Sequence, residues 1–227
     1  MVADIRVIIP AYNEQNSVGR VIKDIPPNLV SEVIVVNNAS TDETRLEAEK
    51  AGATVLDEIK QGYGFACLKG LRYLSDQNPD LVVFIDADYS DHPEEMTQLV
   101  EPILNNKADM VIGSRALGNR EAGSMTFPQL FGNWLATRLL KVFYGIQFTD
   151  LGPFRAIRYS SLVDLDMKDT TYGWTVEMQL KAAKMKLKCL EIPVTYRKRI
   201  GKSKISGTIK GTVLAGYKIL WTLAKYR

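Results

Sequence analysis

Short apolar runs alternate with longer amphipathic stretches through the first half of the chain. The runs are nearly continuous and rich in β-branched residues, which is typical of strands buried on both faces of a parallel sheet. They predict five strands, at residues 5–9, 32–36, 53–56, 81–85 and 109–113. The stretches between them predict helices at 15–25, 42–51, 64–76 and 93–105. Two helix starts have local signals: a capping box at Ser40–Glu43, and Pro93 in a first turn. This alternation predicts an α/β fold with a mostly parallel, Rossmann-like sheet and helices on both faces.

The regular alternation ends after residue 115. Residues 116–127 are polar and contain two glycines, which predicts a mobile loop, and a helix is predicted at 128–144. Two further strands, at 154–158 and 188–196, flank a predicted helix at 174–186. No linker-like segment separates these parts, so we predict one domain over residues 1–205, followed by a C-terminal helix over 206–227.

Charge is distributed unevenly along the chain. Residues 197–227 contain nine Lys or Arg and no Asp or Glu, which leaves 20 basic and 26 acidic residues elsewhere. A basic amphipathic helix at 206–227 suits the headgroup region of an anionic membrane, and docking on the core is the alternative. No run of 18 apolar residues and no signal peptide are evident. The two cysteines lack metal-ligand spacing and indicate buried thiols in a reducing compartment, so we expect a cytoplasmic protein.

The fourth predicted strand runs directly into two carboxylates, in the sequence VVFIDADYSDHP. In an extended segment Asp86 and Asp88 point the same way, so both could face one ion at the carboxyl end of the sheet, where ligands bind. Mg²⁺ and Mn²⁺ favour a few carboxylates together with phosphate oxygens and water. The pair therefore favours a metal that holds a nucleotide diphosphate, with a solvated loop as the alternative.

Other strand ends offer groups for a nucleotide. The segment IPAYNE after the first strand lacks the GxGxxG of a dinucleotide site, but Tyr12 can stack on a base and Glu14 can accept hydrogen bonds. Asn38 after the second strand can read a base edge or form a turn. In RKRIGKSK, Arg199 and Lys204 can clamp diphosphate or an anionic acceptor, or simply form a solvated surface.

Taken in order, the motifs IPAYNE, VVNNASTDET, FIDADYSDHP, IGSR, DLGPFRAI, VEM and EIPVTYRKRIGKSK resemble family 2 glycosyltransferases with a GT-A fold. The resemblance spans residues 5 to about 205 and is greatest to dolichyl- or polyprenyl-phosphate mannosyl- and glucosyltransferases. It implies a catalytic domain over 1–205 and a nucleotide-sugar site formed by Pro10, Ala11, Tyr12, Glu14, Val36, Asn38, Asp86, Ala87, Asp88, Arg115, Arg199 and Lys204. It also implies a Mg²⁺ or Mn²⁺ site at Asp86, Asp88 and Ser90.

Three departures from the family pattern bear on specificity. The usual D-D-G-S after the second strand is NNAS at residues 37–40, which leaves the base, uracil or guanine, open. The usual D-L-T-G-S-F-R is one residue shorter and contains Pro153, so the sugar pocket can differ. The stretch from Arg199 to Lys204 is one residue shorter than in the mannosyltransferases.

The resemblance implies inverting transfer of a hexose from a GDP-mannose or UDP-glucose type donor, with Asp88 and Arg115 at the reaction centre. A polyprenyl or dolichyl phosphate acceptor is already anionic and needs no base, whereas a hydroxyl acceptor would need one, for which Glu177 and Asp150 are the candidates. The basic C-terminus favours the lipid phosphate and peripheral contact with the inner face of the membrane. A membrane-protein partner and a homo-oligomer are both left open.

Alternative functions remain at this level. A transferase acting on a hydroxyl acceptor in polysaccharide or glycolipid synthesis, or an inactive sugar-nucleotide-binding protein, would share these motifs. A sugar-1-phosphate nucleotidyltransferase would require a Gly-rich basic loop after the first strand, which PAYNEQ does not provide. Nucleic-acid binding is not indicated, because aromatic and basic residues are not interleaved along a strand.

Overall fold

The computed structural model describes residues 3–145, 147–201, 216–218, 220–222 and 224–226. Its strands are β1 (Ile5–Ala11), β2 (Glu32–Asn37), β3 (Thr54–Asp57), β4 (Leu81–Phe84), β5 (Met110–Ser114), β6 (Arg155–Arg158) and β7 (Cys189–Pro193). Its helices are α1 (Val18–Asp24), α2 (Thr44–Lys50), α3 (Tyr63–Leu74), α4 (Met96–Leu104), α5 (Phe127–Tyr144), α6 (Tyr159–Asp164) and α7 (Trp174–Lys184). Each predicted strand and helix of the described chain is present, with ends displaced by up to a few residues.

The strands form one sheet in the order β3-β2-β1-β4-β6-β5-β7. Neighbours pair in parallel, except that β6 is antiparallel to both β4 and β5. The carboxyl ends of β1, β2 and β4 therefore meet at one edge of the sheet, and the segment that enters β6 arrives at that same edge. The predicted mostly parallel sheet is confirmed.

Helices cover both faces of the sheet, and each face has its own apolar core. Along β1 the fully buried side chains alternate: Ile8 packs into one core, and Val7 and Ile9 pack into the other. The first core receives residues of α3, α5, α6 and α7, and the second receives residues of α1, α2 and α4. Burial of both faces explains why these strands read as nearly continuous apolar runs.

Two local predictions differ from the structure. The capping box at Ser40–Glu43 is wrong, because α2 begins at Thr44 and Asp42 accepts hydrogen bonds from the Thr44 N–H and hydroxyl. The helix predicted over 93–105 begins with a 3-10 turn at Pro93–Glu95, and its α-helical part starts at Met96. Both corrections concern the first helical turn, where side-chain and backbone acceptors compete for the same N–H groups.

The described part of the C-terminal segment lies against the body of the protein. Residues 216–218, 220–222, 224 and 225 are helical, and Thr222 is buried. The Lys218 ammonium lies 3.0 Å from an Asp169 carboxylate oxygen, and the Tyr226 hydroxyl donates to Glu177. These contacts attach the described part of the segment to Asp169 and Glu177. Residues 202–215, including Lys204, lie outside the described residues.

Candidate active site

A pocket of about 390 Å³ opens at the carboxyl edge of the sheet. It receives residues from the carboxyl end of β1 and from the segments that follow β1, β2, β3 and β4, together with residues that precede α7 and Arg199 from beyond β7. Its lining residues are Pro10, Ala11, Tyr12, Glu14, Asn38, Gln61, Gly62, Tyr63, Asp86, Ala87, Asp88, Thr171, Tyr172 and Arg199. The strand-end segments selected from the sequence thus lie around one pocket.

Asp86 and Asp88 stand together on the pocket wall, just beyond β4. Asp86 is partly exposed, and its Oδ1 atom is shielded from solvent without a hydrogen-bond partner among the described residues. Burial and the nearby Asp88 raise the pKa of the Asp86 carboxyl to about 7, although Arg199 and a hydrogen bond with Tyr63 oppose this shift. The Oδ1 atom of Asp88 accepts hydrogen bonds from the N–H and hydroxyl of Ser90. The two carboxylates therefore lie close together in a site where burial limits their hydration.

Arg199 supplies positive charge to this wall. Its Nη2 atom lies 3.0 Å from Asp88 Oδ2 and 3.2 Å from Glu14 Oε1, so one guanidinium bridges the ends of β1 and β4. Backbone hydrogen bonds hold the arginine there, because the N–H groups of Arg197 and Ile200 donate to the carbonyls of Ser90 and Asp88. A planar guanidinium in this position is suited to phosphate oxygens.

Asn38 lines the pocket but also holds the loop that follows β3. Its amide nitrogen donates to the carbonyls of Glu58 (3.2 Å) and Lys60 (2.7 Å), and its Oδ1 accepts from the Gly62 N–H (2.8 Å). These bonds position Gln61, Gly62 and Tyr63, pocket residues that the sequence motifs did not indicate. The polar sequence after the third strand was a usable signal, because that strand ends at the same edge as β1 and β2.

The backbone of the NNAS turn keeps a glycine-like conformation although the family's glycine is replaced by alanine. Ala39 has φ of 58°, in the left-handed region that favours glycine, and it stands where the usual motif has glycine. The turn is linked to the loop after β1, because the Asn13 N–H donates to the Ser40 hydroxyl and Asn13 Oδ1 accepts from the Thr41 N–H. The first two strand-end loops therefore form one hydrogen-bonded unit.

The segment before α7 forms the opposite side of the pocket, with Thr171 and Tyr172 as its lining residues. It packs tightly on the start of α3: a Cβ atom on Gly64 would lie 2.1 Å from the Asp169 carbonyl oxygen, so only glycine fits. Glu177 supports the segment from behind by accepting hydrogen bonds from the N–H groups of Lys168 and Asp169. Sequence patterns gave no signal for this wall, since it depends on contacts between distant segments.

Glu177 is buried and does not line the pocket. Burial alone would raise the pKa of its carboxyl, but hydrogen bonds from Lys181, Tyr226 and the Asp169 N–H outweigh burial and lower it. A carboxylate stabilised in its ionised form by so many donors is a poor proton acceptor. Its contacts are those of a structural support for the pocket wall.

Arg115 and Asp150 form a buried ion pair beside the pocket. Arg115 Nε and Nη2 lie 2.8 and 2.7 Å from the two Asp150 carboxylate oxygens, and the Arg115 N–H also donates to Asp150. Burial opposes ionisation of Asp150, but the Arg115 charge together with hydrogen bonds from Arg115 and the Leu151 N–H outweighs burial and lowers the pKa of the carboxyl. The carboxylate of Asp91, also buried in this region, has no hydrogen-bond partner among the described residues, and burial raises its pKa. The pair joins the end of β5 to the segment that enters β6.

The structure brings together most, but not all, of the residues that the sequence indicated. Nine line the pocket: Pro10, Ala11, Tyr12, Glu14, Asn38, Asp86, Ala87, Asp88 and Arg199. Five do not line it: Val36, Ser90, Arg115, Asp150 and Glu177. Val36 is fully buried in the apolar core, and Ser90 is buried beneath Asp88. Lys204 lies outside the described residues.

A family model described as Glycosyl transferase family 2 matches residues 6–165. The chain belongs to glycosyl transferase family 2. It is 32% identical over 232 residues to an undecaprenyl-phosphate mannosyltransferase of Micrococcus luteus, with 96% of this chain and 93% of that protein covered. It is also 30% identical over 217 residues to a dolichyl-phosphate hexose transferase of Haloferax volcanii, with 93% and 90% covered. This glycosyltransferase is thus similar to its relatives along almost its whole length.

Solved structures agree on the fold. Glucosyl-3-phosphoglycerate synthase of Mycobacterium tuberculosis, crystallised with Mn²⁺, UDP-glucose and phosphoglyceric acid, superposes with a TM-score of 0.78 at 23% identity. The match covers 99% of this chain and 78% of the synthase. This glycosyltransferase therefore has the GT-A fold that the sequence predicted. No helix among its described residues combines the length and apolar character needed to span a bilayer.

Proposed function

We propose that this glycosyltransferase transfers a hexose, with inversion, from a nucleoside diphosphate sugar to a polyprenyl or dolichyl phosphate. The two relatives described above carry names that refer to such acceptors, and their similarity extends over at least 90% of each protein. The donor class is a GDP-mannose or UDP-glucose type sugar nucleotide.

One observation carries the proposal: Asp86, Asp88 and Arg199 meet at the pocket that Tyr12 and Glu14 also line. A nucleoside diphosphate needs an aromatic or polar surface for its base, and opposed charges for its two phosphates. Tyr12, Glu14 and the loop held by Asn38 supply the first. The carboxylate pair, with a cation, and the Arg199 guanidinium supply the second.

The carboxylate pair fits a divalent metal ion. No group of three or more His, Cys, Asp or Glu side chains suited to a metal occurs among the described residues, so the pair would be completed by donor phosphates and water. Mg²⁺ commonly binds through one or two carboxylates and substrate phosphates, and Asp86 offers a shielded oxygen without a partner. We assign the metal to Asp86 and Asp88, with Ser90 orienting Asp88. When bound, Mg²⁺ or Mn²⁺ neutralises charge on the departing diphosphate.

The chain's own residues then have defined tasks. Arg199 exchanges its ion pair with Asp88 for donor phosphate oxygens, and Tyr12 and the residues after β3 enclose the base and ribose. A lipid phosphate is anionic at neutral pH, so it attacks the anomeric carbon without a general base. We accordingly assign structural roles to Glu177 and Asp150. Arg115 holds the segment that enters β6 next to the pocket, through its ion pair with Asp150.

The catalytic unit in this proposal is residues 1–205, and residues 206–227 form a basic appendage. The acceptor class places the enzyme at a membrane surface, and we propose peripheral attachment at the cytoplasmic face. The cations of residues 197–227 would favour an anionic leaflet.

Product analysis tests the proposal. Purified enzyme is incubated with UDP- or GDP-hexoses, Mg²⁺ or Mn²⁺, and a short-chain prenyl phosphate, and glycosyl lipid and released nucleoside diphosphate are quantified. We expect equal amounts of both products with one donor, and loss of both after chelation or in Asp88→Asn. If hexose is transferred only to a hydroxyl acceptor, the proposed lipid phosphate acceptor is wrong. Nucleotide binding without transfer to any acceptor would indicate an inactive binding protein.

A further inference from the structure

Helix α5 carries an exposed face of three aromatic residues and two cations. Phe127, Phe131 and Trp134 are 79%, 50% and 58% exposed, and Arg138 and Lys141 are also exposed. At 3.6 residues per turn these five positions, spaced by four, three, four and three, fall on one stripe of the helix. We call this stripe, with its flanking residues Leu130 and Val142, the outer face of α5.

The opposite side of α5 attaches it to the protein. Of its 18 residues only Ala136 and Leu140 are buried, and both lie about half a turn away from the outer face. Asn133, also away from the outer face, donates to the Thr149 carbonyl and accepts from the Leu151 N–H at 2.8 Å. The orientation of α5 is therefore fixed, and its aromatic stripe faces outward.

The aromatic residues form a continuous surface. The Phe127 and Phe131 rings stack with centroids 6.4 Å apart, and the Phe131 and Trp134 centroids are 5.8 Å apart. Contiguous exposed apolar surface of this kind marks an interaction site, since soluble proteins keep such patches small. Isolated exposed apolar residues elsewhere, such as Val163, need no such explanation.

Charge identifies the partner. Residues 127–144 contain Arg138 and Lys141 and no Asp or Glu, so the outer face combines apolar and purely cationic groups. A helix that lies in the plane of a bilayer surface has this composition, with Trp and Phe inserted among acyl chains and Lys or Arg at anionic headgroups. An acidic protein partner would use the cations but would leave three large rings without an apolar counterpart.

The position of α5 fits this partner. Asn133 holds the segment 149–151, which also contains Asp150 of the buried pair with Arg115. That segment leads into β6, whose first residue, Arg155, pairs with Phe84 at the carboxyl end of β4. A bilayer on the outer face would therefore lie beside the edge of the sheet that carries Asp86 and Asp88.

We infer that the outer face of α5 is a docking surface for an anionic phospholipid bilayer. Docking inserts Phe127, Phe131 and Trp134 below the headgroups and brings Arg138 and Lys141 to lipid phosphates. The inference rests on the proposed function only for the purpose of docking, which is to present a lipid-linked acceptor to the pocket. Binding of the protein to vesicles does not itself require an acceptor.

Vesicle co-sedimentation tests the inference on the full chain. Wild type, a triple variant (Phe127→Ser, Phe131→Ser, Trp134→Ser) and a charge variant (Arg138→Glu, Lys141→Glu) are mixed with vesicles of phosphatidylcholine containing about a quarter phosphatidylglycerol. The matched control replaces three exposed apolar residues on other helices: Leu46→Ser, Leu104→Ser and Val163→Ser. We expect wild type and control to bind, and partitioning to fall at least about tenfold in the triple and charge variants.

Two further measurements separate the outcomes. Hexose transfer to a short-chain prenyl phosphate without vesicles should be retained in the triple variant. If wild type binds vesicles through α5 but transfers hexose to no prenyl phosphate, the docking inference stands and the proposed function fails. Sedimentation velocity without lipid tests self-association. Vesicle binding by the triple variant at the wild-type level, no binding by wild type, or a wild-type dimer that the triple variant abolishes would each overturn the inference.

Discussion

Replacing Asn38 by alanine should loosen the pocket wall rather than merely remove a contact to the nucleotide. The side chain is only 5% exposed, and its amide makes hydrogen bonds to the Glu58 and Lys60 carbonyls and to the Gly62 N–H, at 2.7–3.2 Å. Alanine leaves all of these backbone groups without the partner that now satisfies them. The loop at 58–63 would then lose its link to the end of β2.

The magnitude follows from the three bonds. Each contributes about 0.5–1.5 kcal/mol net, so the free energy of unfolding should fall by about 3 kcal/mol. For a chain of this length that corresponds to a decrease in Tm of roughly 6–12 °C. Donor affinity should fall as well, because Gln61, Gly62 and Tyr63 line the pocket.

Urea denaturation and calorimetry of the ligand-free protein measure the effect. The control is Asn37→Ala: this neighbouring amide donates to Asp57 at 2.9 Å and accepts from the Ser40 N–H at 3.3 Å, in a more exposed setting. Its replacement should cost less than about 1 kcal/mol. Equal stability of the two variants, with nucleotide binding lost only in Asn38→Ala, would refute the loop-holding role and favour direct reading of the base.

Three further substitutions test the assignments of charged residues. Glu177→Gln should leave the shape of the pH–rate profile unchanged. Because folding lowers the pKa of Glu177, its carboxylate stabilises the protein at pH values above the unfolded pKa of about 4.5, and this stabilisation is lost as pH falls through the lower folded pKa. In urea titrations the free energy of unfolding of the variant should therefore decrease less on acidification than that of wild type. Asp150→Asn should cost about 3–5 kcal/mol in urea titrations by leaving Arg115 buried and unpaired, whereas Lys198→Ala, which breaks an exposed pair, should leave the stability nearly unchanged. Arg199→Ala should weaken donor binding by about ten- to a hundredfold in calorimetric titration, and unchanged affinity would contradict its phosphate-binding role.

The sequence correctly predicted which polar residues follow the strands and meet at one edge of the sheet. The runs before Asp86 and before Pro10 identify strands of a parallel sheet, and such strands present their carboxyl ends at one edge. The pattern alone therefore brought Tyr12, Glu14, Asp86 and Asp88 to the same crevice. Val36, which only the family resemblance indicated, is still inside β2, and its side chain is buried in the core.

Prediction was weaker where a residue's role depends on its partners. Glu177 and Asp150 were candidate bases because they are carboxylates near family motifs, but the structure surrounds one with hydrogen-bond donors and pairs the other with Arg115. Thr171 and Tyr172 gave no signal, because they reach the pocket only through the packing of their segment on α3. Partner identity depends on contacts between segments far apart in the chain, which periodicity does not encode.

The sequence by itself determined the sheet, its two apolar faces and the strand ends that carry polar groups, because side-chain periodicity and turn chemistry are local. Only the tertiary structure decided which polar groups line the pocket and which support it from behind. It also decided that α5 packs by Ala136 and Leu140 and leaves its aromatic stripe exposed. An amphipathic pattern indicates that one side of a helix will be covered, but the surrounding fold determines what covers it.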